Sequence, residues 1–161
     1  MSDQAHTGGC QCGAVRFRVT KLGRGSICFC RMCQKATAGL GGLLITAEEF
    51  AWTRGAPKYF VSSNVARRGF CGDCGTPLTF ESGGAVDLSI VAFDRPGEVP
   101  PTIQLAAEAR IPWGDHLNAL PPRPESPAMA ERYARVVSYQ HPDHDTDAWE
   151  ARTLAATEPR Q

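Results

Sequence analysis

CQCGAVRFRVT, Cys10–Thr20, carries two patterns in one short run. Its first half sets two thiols around a single residue and closes on Gly13. Its second half alternates: Val15, Phe17 and Val19 fall between Arg16, Arg18 and Thr20, the period of a strand with one buried face. The chain downstream repeats this theme. Gly39–Ile45 is apolar and glycine-rich, reading as a strand whose glycines let another group approach its backbone. Ala56–Ser63, the run GTPLTFES with Leu78 and Phe80 on one face, Ala85–Asp94 and Thr102–Ile111 read as further strands, with turns near Asn64 and at DRPGEVPP. Short strands between Gly/Pro turns make the class mainly β. A capping-box pattern at Thr46 (TAEEF) suggests a short helix. Pro121–Pro127 is a rigid linker, and Ser126 and Pro127 are start signals for a helix beyond it. The polar tail, His141–Gln161, reads as a loose helix or as disorder.

The remaining composition narrows the possibilities. The 161 residues are 42% hydrophobic and 21% charged, with zero formal net charge. That is a globular chain without the basic excess of a nucleic-acid or anionic-membrane binder. No apolar run reaches the ~18 residues of a spanning helix, and the polar MSDQAHTGG start lacks a signal peptide's apolar centre. A cytoplasmic location is expected. There, seven cysteines point to metal rather than to disulfides.

The cysteines form three clusters: Cys10 and Cys12; Cys28, Cys30 and Cys33; Cys71 and Cys74. The first and third each end in Cys-Gly, at Gly13 and Gly75. A chain reversing around a metal needs the positive φ that glycine allows. Cys10, Cys12, Cys71 and Cys74 are therefore paired as a closed four-sulfur structural site. Free buried thiols or a lone iron are the alternatives. The middle cluster has three sulfurs. Three ligands with an open fourth position suit a catalytic zinc. Competing readings are closure by a fourth ligand (His6, His116, His141 or His144), a Cys30/Cys33 redox pair, or a metal-free remnant.

Together, GGCQCGAVRF, CFCRMCQKATAG and FCGDCGTPLTF resemble the glutathione-dependent formaldehyde-activating enzyme family, whose domain also occurs in centromere protein V. The resemblance runs from Gly8 to Pro124, and WGDHLNALPPRP is similar to the family's closing segment. It implies a zinc-binding β-tent of short antiparallel strands over residues 1–125, with a C-terminal helical or disordered extension over 126–161. It implies two Zn²⁺ per chain: one structural on Cys10, Cys12, Cys71 and Cys74, one catalytic on Cys28, Cys30 and Cys33. It also implies carbon–sulfur lyase chemistry on a small-molecule thiol or thiol–aldehyde adduct such as one of glutathione. Phe29 departs from the family's common His, and Thr102–Ile111 does not match well.

A three-thiolate zinc is negatively charged and suits a sulfur ligand. Nearby cations are expected to offset that charge or take a substrate carboxylate: Arg31 and Lys35 in the motif, Arg67 and Arg68 before the last cluster. Gln34 is a candidate for orienting substrate, and His116 is the best available acid or base. Met32 and Trp113 read as core, and HPDH in the tail as a solvated terminus. The alternative function is a non-catalytic zinc-binding interaction or scavenging module. Self-association is left open.

Overall fold

The computed structural model describes residues 5–149. Eight strands form one sheet: β1 His6–Gly9, β2 Arg16–Cys28, β3 Gly42–Arg54, β4 Lys58–Val61, β5 Ala66–Phe70, β6 Pro77–Ser82, β7 Ala85–Ser89 and β8 Ile103–Leu105. The order is β1-β2-β3-β7-β6-β5-β4, antiparallel throughout, with β8 added parallel to β2. The mainly β class is thus as expected. Two helices accompany the sheet, α1 Arg31–Thr37 and α2 Pro127–Ala134. The Ser126 hydroxyl caps α2 by accepting from the Met129 amide, and Pro127 opens it.

The β2–β3 hairpin is the frame, with thirteen residues in each arm. Its register shifts at Arg16/Phe17 and again between Val19 and Gly25. Such bulges bend a strand pair and increase its twist. One edge of β2 can therefore serve β1 near Val19 and β8 near Ser26. The expected helix at Thr46 is absent. Phe50 pairs with Val19 and Trp52 with Phe17, and the Thr46 hydroxyl donates to Asp87 Oδ1 at 2.7 Å across to β7 instead of capping. Cross-strand packing overrides the local signal. Beyond Leu105 the expected strand becomes a 3-10 turn, Ala107–Ala109, and β7 gives way to another at Ile90–Ala92. The strands β1 and β5 went unnoticed in the sequence.

Val15, Phe17 and Val19 are buried as their alternation requires, with Leu78, Leu88 and Val99 beside them. The Phe17 ring meets Phe93 edge-on at 5.0 Å and Trp52 at 6.1 Å, a favourable aromatic geometry. Trp113 and Met32 are not in this core; both are more than half exposed.

Arg16, on the opposite face of β2, is buried too. Its guanidinium donates to both carboxylate oxygens of Asp94 at 2.8 and 2.6 Å, and to Asp145 Oδ1 at 2.6 Å. Asp145 belongs to a segment, 141–149, that returns over the Cys10–Gly13 turn. The His141 amide donates to the Gln11 carbonyl at 2.8 Å, and the Trp149 indole donates to the Cys12 carbonyl at 2.9 Å. HPDH is therefore no solvated terminus: His141 is buried, although His144 is exposed. The rest of the tail lies outside the described residues.

Burial alone would raise the Asp94 pKa; the Arg16 guanidinium and the Thr7 hydroxyl outweigh it and hold the carboxyl below its ordinary value. Removing this charge leaves a buried guanidinium with the half-exposed Asp145 as its remaining carboxylate partner. Asp94→Asn is expected to cost about 3 kcal/mol or more in denaturant unfolding, while the half-exposed Asp145→Asn costs under about 1 kcal/mol. Because the folded-state pKa is depressed, the Asp94 contribution is present above about pH 4 and is lost as pH falls through the lowered value. The wild-type advantage over Asp94→Asn should shrink there.

Candidate metal centres

Two hairpin turns bring the first four thiols together. In one, the Cys10 amide donates to the Val15 carbonyl at 2.9 Å and the Gly13 amide to the Cys10 carbonyl at 3.0 Å. In the other, the Cys71 amide donates to the Thr76 carbonyl at 2.9 Å and the Gly75 amide to the Cys71 carbonyl at 3.0 Å. Gly13 and Gly75 both sit at φ +77°, the left-handed region where a Cβ is costly. Amides point at the sulfurs: Val15 N–H to Cys10 Sγ at 3.2 Å and Asp73 N–H to Cys71 Sγ at 3.4 Å.

The sulfurs of Cys10, Cys12, Cys71 and Cys74 all lie within 4.8 Å of one another, Cys10–Cys12 at 3.5 Å and Cys12–Cys71 at 3.8 Å. A tetrahedron with Zn–S of 2.3 Å has edges of about 3.8 Å. The donor set therefore fits a four-coordinate thiophilic ion, and Cys10 and Cys71 are buried enough to exclude water. Burial raises the pKa of Cys10 and Cys12. Burial opposes ionisation of Cys74 as well, but the Thr76 hydroxyl and amide outweigh it and bring that thiol to about 6.

Cys28, Cys30 and Cys33 form the second group, again with all sulfurs within 4.8 Å. Cys28 ends β2, Cys30 is the N-cap of α1, and Cys33 lies in its first turn. The helix Arg31–Thr37 joins two adjacent antiparallel strands and so makes no βαβ unit. Closeness to β3 depends on glycine. A Cβ on Gly41 would lie 2.9 Å from the Cys28 carbonyl oxygen, and one on Gly42 3.2 Å from Cys33 Cβ. None of the seven cysteines is in a disulfide.

The thiols of this triad share ionisation unequally. Burial, then the neighbouring thiols, pushes Cys28 up to about 12. Burial also resists ionisation of Cys30, but the Cys33 amide and the two adjacent thiols overcome it and lower the value. Among the described residues no His, Asp, Glu or fourth Cys joins this convergent group. His6 approaches Glu98 at 3.7 Å, His141 sits beside Arg54 at 3.4 Å, and His116 lies exposed in the 3-10 stretch Pro112–Ala119.

The nearby polar candidates divide. Gln34 is buried, and its amide is engaged at both ends: Nε2 donates to the Phe29 and Ala109 carbonyls at 2.9 and 3.1 Å, and Oε1 accepts from Arg31 at 3.2 Å. Gln34 ties α1 to the chain after β8. Lys35 is exposed on α1. Arg67 is matched with Glu81 at 2.7 Å. Arg68 instead donates from Nη2 to Cys33 Sγ at 3.4 Å. Its strand parity could have separated it from Arg67, had β5 been recognised.

A bent, mainly antiparallel sheet carries one four-thiol and one three-thiol cluster, each with a donor set able to hold a metal ion. The family model for the glutathione-dependent formaldehyde-activating enzyme matches residues 5–109, more than half of the chain, and the chain belongs to that family. A crystal structure of a Rhodobacter sphaeroides protein is similar over 61% of this chain and 98% of its own, at 19% identity and a TM-score of 0.49. No helix among the described residues is long and apolar enough to cross a membrane.

Two variants separate the clusters. If the four-thiol group holds a structural ion, Cys74→Ser should abolish cooperative folding, since such a site contributes on the order of 10 kcal/mol; circular dichroism with zinc present reads the loss. Gly41→Ala, which forces the Cys28 backbone to move, should leave the fold intact and lower the metal bound per chain by elemental analysis.

Proposed function

We propose that the protein is a zinc-dependent carbon–sulfur lyase, or thiol–aldehyde adduct enzyme, acting on glutathione or a similar small thiol. Zinc fits both donor sets: Cys10, Cys12, Cys71 and Cys74 would hold a structural ion, and Cys28, Cys30 and Cys33 a reactive one. When bound at the triad, zinc supplies a soft Lewis acid that favours a sulfur or oxygen anion near neutral pH. The observation that carries the reading is the unequal sulfur count. Four thiols saturate one tetrahedron; three leave the other one donor short.

The chain's own residues have separable tasks. Cys28, Cys30 and Cys33 hold the ion, with Cys30 favoured as thiolate by the start of α1. Arg68 places a positive charge against Cys33 and limits the build-up of negative charge at the triad. In the synthetic direction a thiol sulfur attacks the aldehyde carbon. The new C–S bond forms as the carbonyl π pair moves to oxygen, and the thiol's proton ends on that oxygen. Lysis reverses each movement. His116 remains a candidate for carrying the proton, and Arg31 and Lys35 for contacting substrate, while Gln34, proposed from the sequence as a substrate contact, would act by holding α1 in place.

Cys30→Ser is the test. The variant should fold and keep the structural ion, yet lose the excess of adduct formation from glutathione and formaldehyde over the uncatalysed rate, measured by NMR exchange. If it turns over normally, or unfolds as Cys74→Ser does, the triad is not the catalytic centre and the non-catalytic module becomes the better reading.

A further inference from the structure

The two adjacent arginines of β5 have opposite fates. Arg67 is exposed, ion-paired with Glu81, and stacked over Tyr59 at 4.0 Å. Arg68 is half-buried, lies over the Phe80 ring at 4.9 Å, and has no carboxylate within ion-pair distance among the described residues. Among the described residues its one side-chain hydrogen bond is that to Cys33 Sγ at 3.4 Å. A guanidinium has five N–H donors in a rigid fork, so most of its capacity is unspent. Holding a cation partly out of water without an anion is costly.

The space beside Arg68 explains why that arrangement persists. A cleft of ≈ 270 Å³ runs between α1 and the β4–β5 hairpin, lined by Met32, Lys35, Ala36, Phe60, Ser62 and Arg68. It contains two cations and no acid. A second cleft of ≈ 170 Å³, which shares Ala36, Phe60 and Arg68 with the first, also lacks any acidic residue in its lining. Met32 and Phe60, both more than half exposed, give the first cleft an apolar wall. Three thiolates around a divalent ion leave one negative charge. Arg68 and Lys35 together bring two positive charges against that single negative one, which leaves a surplus for an anionic ligand.

From this we infer that Arg68, supported by Lys35, receives a carboxylate of the thiol or thiol adduct, so that the site selects acidic thiols over neutral ones. The inference rests on the proposed function, because the ligand's sulfur is taken to lie at the Cys28–Cys30–Cys33 group. Arg68 then spans both ends of the ligand: one donor stays on Cys33, and the fork's remaining donors face the cleft. The carboxylate lies a few bonds from the sulfur, with its methylene chain against Met32 and Phe60. Charge-assisted hydrogen bonds to a fork of this kind discriminate by about tenfold or more.

The test uses zinc-loaded protein and two probes that differ only in charge at the far end, 3-mercaptopropionate and 3-mercaptopropan-1-ol, titrated by calorimetry. The wild type should bind the acid about tenfold more tightly. Arg68→Met should erase that preference without weakening the alcohol, and Arg68→Lys should keep part of it. Lys35→Gln, an exposed change on α1, should reduce the preference severalfold. Equal binding of the two probes by the wild type, or a preference that survives Arg68→Met, overturns the carboxylate assignment and leaves the open thiol site standing. If neither probe binds, the open site and the assignment fall together.

Discussion

Thiolates repel one another. Four sulfurs within 4.8 Å, and three more in a second group equally close, would as thiolates be a favourable arrangement only around a cation. Their convergence is the constraint that the fold satisfies. The four-sulfur group joins the turn before β2 to the turn between β5 and β6, elements distant in sequence and at different places in the sheet order. Between them runs the bent β2–β3 hairpin, whose bulges aim its far end, Cys28, at α1. The first group thus secures the frame and the second is carried on it. In the proposed reading, a structural ion and a reactive one would have different jobs because the chain offers them different numbers of donors.

The surroundings of the two groups reinforce that division. The four-sulfur turn is covered by chain: the 141–149 segment crosses it, His141 and Trp149 crowd Gly13, and Arg54 donates to the Gly13 carbonyl at 3.1 Å. A side chain at Gly13 would collide with both rings. Near the triad, Arg68, which donates to Cys33, instead lines a cleft with an apolar wall and no acidic residue in its lining. Cover suits an ion that must stay; an open flank suits one that must meet a ligand.

Much of this was legible in the sequence, and what was not has physical causes. The Val15–Phe17–Val19 alternation and the two Cys-Gly endings are local signals, and each fixed its local conformation. The burial of Arg16 and His141 has no local signal because it comes from contacts across the chain, with Asp94, Asp145 and the Cys10–Gly13 turn. The helix α1 was overlooked because it is short, capped by a cysteine rather than by a Ser, Thr, Asp or Asn, and interrupts strands. Thr46 misled in the other direction, offering a cap that the β2 pairing outbids. Arg67 and Arg68 look interchangeable in sequence. Only the register of β5 sends one to Glu81 and the other to Cys33.

The central claim is a difference in coordination, and the most direct measurement is a crystal structure of the zinc-loaded protein with anomalous scattering at the zinc edge. The account predicts two ions, one enclosed by Cys10, Cys12, Cys71 and Cys74, the other held by Cys28, Cys30 and Cys33 with its last position taken by water or by an added thiol. A fourth protein donor on the second ion, or a triad that takes up no ion, would contradict it.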